Sequence, residues 1–152
     1  MKNNDHPYYN YIFTTFIFCI IGLFAPAISM LLISGFQLLI STIRISCEDS
    51  WHLIWAISWI GLIIWPILFF QLLYIKKSSE IRKIKNRLIW LNTLGYLSIQ
   101  ISVGSLLSSA EILCYGIDGQ IGLEYVFTAW LALPILFLFS VILDRLLIKQ
   151  IS

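Results

Sequence analysis

Three cysteines, two histidines and a stripe of serines are the residues of this 152-residue chain with the reach to do chemistry. Cys19, Cys47 and Cys114 form no C-x-x-C pair. With only His6 and His52 beside them, a four-ligand zinc site has almost nothing to draw on. Cys47 and Cys114 each lie in a polar stretch between long apolar runs. If both stretches face an oxidising compartment, a bond between Cys47 and Cys114 would tie them together; the other reading is two free thiols. Cys19, inside an apolar run, reads as a packing residue. His52 follows Trp51 and reads as an amphipathic surface residue. No catalytic or ligand motif is present, so the expectation is a non-enzymatic protein with no cofactor and no metal.

Small and hydroxylated residues recur at alternating spacings of four and three. One set is Thr15, Cys19, Gly22, Pro26 and Ser29; the other is Gly95, Ser98, Ser102, Ser105 and Ser109. In lipid, where apolar burial no longer drives association, such stripes let helix backbones approach closely, so both are expected at helix–helix contacts. A polar pathway lined by the serines is the competing reading. Gln100 falls on nearly the opposite face from its serine neighbours at about 100° per residue. An amide facing lipid is unfavourable, so that face should be covered too, either by a second copy in a homo-oligomer or by a bond within one chain.

The elements that must position these residues follow from composition. The chain is 59% hydrophobic and only 12% charged, against about 25% charged in soluble domains; its mean hydropathy is +0.88. It reads as one all-α polytopic domain of four transmembrane helices over 1–152, with spans at about 11–33, 51–75, 88–110 and 125–143. Ala25-Pro26-Ala27 has the form of a signal cleavage site, but the apolar run continues to Ile33, so an uncleaved first span is expected. Ser34-Gly35 is the expected bend beyond it. Pro66 and Pro134 fall inside spans two and four.

Lys76, Lys77, Arg82, Lys83, Lys85 and Arg87, six of the ten Lys and Arg residues, lie in one stretch between spans two and three. With Lys2, Arg145 and Lys149 they place the positive charge on one side, against Arg44 alone on the other. Both termini are therefore expected in the cytoplasm of a multi-pass bacterial inner-membrane protein. Tyr8, Tyr9, Tyr74 and Trp90 would mark the inner interface, and Trp51, Trp55, Tyr115 and Tyr125 the outer one. No charged residue falls within a span, which argues against a proton-coupled transporter, and no charged ring or filter sequence suggests a pore. A folded basic face for nucleic acid is missing, so direct nucleic-acid contact is not expected.

Four spans with outer cysteines resemble the DsbB family of disulfide-generating membrane enzymes. That family uses a C-x-x-C pair in the first outer loop. Here Cys47 stands alone, so the thiol-exchange relay lacks its first half. Minimal loops, four spans from Tyr11 to Leu143 and the basic hairpin at Lys76–Arg87 resemble the KwaA family, the membrane subunits of the Kiwa antiphage defence system. That resemblance implies an oligomeric inner-membrane sensor working with a KwaB-like cytoplasmic partner. The same topology is similar to the immunity proteins against pore-forming colicins of the A type. The expected function is thus an inner-membrane subunit of an antiphage complex, sensing at the lipid bilayer and recruiting a cytoplasmic effector through residues 76–87. The alternative is an immunity protein against a pore-forming bacteriocin.

Overall fold

The computed structural model describes residues 7–74, 81–115 and 121–151, with side chains over 11–72, 86–115 and 124–146. Among these residues every regular element is helical: α1 Pro7–Phe24, α2 Pro26–Ser41, α3 Cys47–Tyr74, α4 Ile81–Leu107, α5 Ala110–Tyr115 and α6 Ile121–Ile151. Cys47–Leu72 and Glu124–Leu146 are long and apolar enough to cross a membrane. The bent pair Tyr11–Phe24 with Pro26–Ser41 makes a third candidate.

The first apolar run is not one straight span. It breaks at Ala25, and α2 leaves α1 at 83°. Pro26 has no N–H to donate, and its ring disfavours helical geometry in the residue before it; Ala25 accordingly sits at φ −130°, ψ 43°. The break is therefore at Ala25-Pro26 and not at Ser34-Gly35, which lies inside α2. Two backbone groups at the break find new partners. The Ala25 N–H donates to the Gly22 carbonyl at 3.2 Å. The Leu23 carbonyl accepts the indole N–H of Trp130 at 3.2 Å from α6. In lipid an unpaired carbonyl is costly, so Trp130 makes this break tolerable.

Other boundaries move too, α6 running Ile121–Ile151 beyond the expected 125–143. α3 starts at Cys47 because the Ser46 hydroxyl accepts the Asp49 N–H at 3.1 Å and donates to the Asp49 carboxylate at 2.6 Å. Glu48 and Asp49 then complement the positive end of the helix dipole. α4 starts at Ile81, so the second half of the basic stretch is helix rather than loop, and it ends at Leu107. Ser109 caps the short α5 through the Ile112 N–H at 3.3 Å, so Ala110 belongs to α5 and not to span three. Between α2 and α3 the chain turns through Arg44 at φ 64°, where glycine would be the unstrained choice.

α4 packs against α1, α3 and α6. One core joins α1, α3, α4 and α6 through Cys19, Trp65, Phe69, Leu88, Leu133 and Leu136. A second, where α2 and α5 meet the start of α3 and α6, contains Ile33, Ile40, Trp51, Ile54, Ala110 and Tyr125. Trp51 and Tyr125 are thus buried against each other, ring centroids 5.8 Å apart, packed into the bundle rather than exposed on its surface. Tyr115 is exposed. Tyr8, Tyr9 and Tyr74 have side chains outside those described.

Candidate functional site

Three features converge on α4: a buried polar line on one side, a glycine–serine seam on another, and an apolar groove beside the seam.

The polar line begins where Asn92 meets Thr15 of α1, with Nδ2 donating to Oγ1 at 3.2 Å. One turn further on, the hydroxyls of Tyr96 and Ser29 approach to 3.4 Å. The Cys19 thiol donates to the Leu133 carbonyl at 3.5 Å. Gln100 is fully buried, its Nε2 donating to the Tyr125 carbonyl at 3.5 Å. Its Oε1 finds no hydrogen-bond partner among the described residues, and the Tyr125 hydroxyl lies beside the Trp55 indole N–H. Asp144, expected beyond the last span, falls within the apolar Glu124–Leu146 segment. It is 3% exposed, and its Oδ1 also lacks a partner there. One charged residue is therefore buried where none was expected.

The seam runs along α3. Ser102 meets Ser58 at 3.1 Å, and Ser105 accepts the Trp59 indole N–H at 3.2 Å. Ser98 fits against Gly61, and Gly95 against Trp65. The Trp65 indole N–H reaches past Gly95 to the Leu91 carbonyl at 2.8 Å. A side chain at position 95 would cover that carbonyl. Ser109 stands apart from the seam as the α5 cap. Gln100 is covered by α6 of its own chain and needs no second copy to shield it.

This geometry orders two substitutions. Gln100→Leu removes a poorly placed donor and an unpartnered oxygen, and the Tyr125 carbonyl still accepts the Thr128 hydroxyl. Asn92→Leu strands the Thr15 hydroxyl. The expected result is a near-neutral Gln100→Leu and a loss of about 1 kcal/mol for Asn92→Leu, read as thermal unfolding in detergent. A larger loss for Gln100→Leu would contradict the placement of its amide.

At the α2–α5 end, Cys47 and Cys114 form a disulfide with Cα atoms 6.0 Å apart. Gln37 of α2 joins this end, its Nε2 donating to the Ser50 hydroxyl at 3.1 Å and approaching Cys47 Sγ at 3.5 Å. The groove lies between α2, α3 and α4. It holds about 590 Å³ and is walled by Ile57, Ile60, Ile64, Leu94, Leu97 and Ile101 with Phe36 above.

Lys76 and Lys77 lie outside the described residues. Arg82, Lys83 and Lys85 are on the first turns of α4, with side chains outside those described, and Arg87 is exposed. Sequence reasoning missed Asn92 and Asp144, although polar residues within or beside apolar runs were the available signal.

Fold and interior together define a small all-helical protein with two or three candidate membrane-crossing segments. No family model, curated protein or solved structure matches the chain.

Proposed function

We propose that the chain is a non-enzymatic, multi-pass subunit of a defence complex in the bacterial inner membrane, of the kind the KwaA resemblance implies. It has four spans: the α1–α2 pair, α3, α4 and α6. Both termini and residues 76–87 are cytoplasmic. Burial of its polar residues supports α4 as a span. Asn92, Ser98, Gln100 and Ser102 are turned inward, while Ile89, Leu94, Leu106 and Leu107 face outward. An amphipathic helix oriented this way suits lipid outside and protein inside.

The observation that carries the reading is the continuity of α4 from Ile81 to Leu107. Arg82, Lys83, Lys85 and Arg87 extend the helix that packs against α1, α3 and α6. A helix is stiff over this length, so a shift in the packing of Asn92, Gly95 or Gln100 moves the basic turns with it. An acidic cytoplasmic effector docked there would sense the state of the bundle.

The test is the triple substitution Arg82→Gln, Lys83→Gln and Lys85→Gln, which leaves Lys76, Lys77 and Arg87 to hold orientation. The expected outcome is normal insertion, with a reporter active only in the periplasm silent after Ser152 and active within residues 118–120. Co-purification of the partner and protection against phage should both be lost. Retained protection would reduce the segment to a topological signal and put the bacteriocin-immunity reading, which uses intramembrane surfaces, in its place.

A further inference from the structure

The groove between α2, α3 and α4 plays no part in that docking surface, and its chemistry specifies an occupant. Its volume of about 590 Å³ lies in the range of roughly 300–1,000 Å³ typical of small-molecule sites. The polar groups on its walls are already engaged or tucked away. Ser58 donates to the Trp55 carbonyl, Thr93 donates to the Ile89 carbonyl, and Ser98 is seated against Gly61. A lining of this kind suits hydrocarbon.

The α4 wall runs from Trp90 to Ile101, about 16 Å at 1.5 Å per residue. One leaflet of a bilayer's hydrocarbon core measures about 15 Å. A second hollow of about 200 Å³ adjoins the groove, sharing Leu32, Thr93 and Leu97, and gives room for a second chain. At the other end of the wall Trp90 is 76% exposed. Arg87, also exposed, stands seven residues before Leu94 and so on the same helical face. The stripe therefore reads hydrocarbon, indole, guanidinium. A phospholipid presents acyl chain, glycerol and phosphate in the same order.

We propose that this groove and its adjoining hollow bind one anionic phospholipid, one acyl chain between α3 and α4 beneath α2, the other between α1, α2 and α4, and the phosphate on the Arg87 guanidinium. Arginine's planar fork suits phosphate oxygens. The proposal requires only that the bundle sits in a bilayer; it shares Arg87 with the proposed docking turns but does not rest on the defence reading.

The test is native mass spectrometry of the delipidated full chain in detergent, titrated separately with dioleoyl-phosphatidylglycerol and dioleoyl-phosphatidylcholine. Wild type should prefer the anionic lipid. Arg87→Gln should lower that preference about fivefold, the weight of one basic side chain at an anionic lipid surface, while phosphatidylcholine, whose phosphate is already balanced by its own choline, should lose less. Leu94→Trp and Ile57→Trp fill the groove from its two walls. Each should lose both lipids while eluting as wild type does. Because Arg87 is exposed, its substitution decides the headgroup question even if a groove-filling variant misfolds. Equal binding of the two lipids by wild type would overturn the proposal. So would undiminished lipid binding by either well-folded groove-filling variant, or a wild-type dimer that those variants dissociate.

Discussion

Gly95→Val is expected to unfold the α3–α4 pair. A Cβ at position 95 would run into the indole of Trp65, which is buried and cannot move aside. The valine would also cover the Leu91 carbonyl and break the 2.8 Å bond from Trp65 Nε1. Overpacking typically costs about 1–3 kcal/mol, and the lost hydrogen bond adds about 1 kcal/mol. That is a large part of the stability of a small domain. Thermal unfolding in detergent measures it, with Gly35→Ala as an internal control. Nothing lies within 4 Å of a Cβ at Gly35, which sits mid-helix in α2, so alanine there should be neutral or stabilising. If the two variants melt together, the close approach of α3 and α4 is wrong.

The second large effect is expected from the disulfide. Cys47 and Cys114 are 67 residues apart, and the bond joins the start of α3 to α5. Chain-entropy arguments give such a closure about 4 kcal/mol. That is an upper bound in a membrane, where helices that stay inserted restrict the chain even without the bond. Cys47→Ser should therefore lower the melting temperature of the whole chain. Its largest effect should fall on the cluster of Ile40, Trp51, Ile54 and Tyr125, which α2 and α5 help to cover. In untreated cells neither thiol should label, and both should label after reduction. Cys19, buried in the bundle, should stay unlabelled throughout. Labelling of Cys47 and Cys114 before reduction would remove the clamp.

Small-residue spacing made one face of α4 legible in advance, because a close contact between helices excludes large side chains at every turn. Other features depend on partners far away in sequence. Pro26, Pro66 and Pro134 look alike in the chain, yet α3 and α6 continue through theirs and only the first run breaks. At the break the Leu23 carbonyl is served by the Trp130 indole, 107 residues away in the chain. Gln100 presented the same difficulty. Its angle on the helix showed that something must cover it, but not that α6 of the same chain would. The start of α4 was hidden because a run of charge reads equally well as a solvated loop or as an exposed helix.

The 83° break also gives the molecule unequal ends. At one end the packed elements are α1, α3, α4 and α6. At the other α1 has stopped, and α2 and α5 join α3, α4 and α6. An upright helix occupies a disc about 10 Å across, whereas a strongly tilted α2 spreads up to about 24 Å of length over the bundle. In a bilayer such a body is a wedge: it displaces more lipid from one leaflet than from the other. Its energy then depends on the difference in lateral pressure between the leaflets.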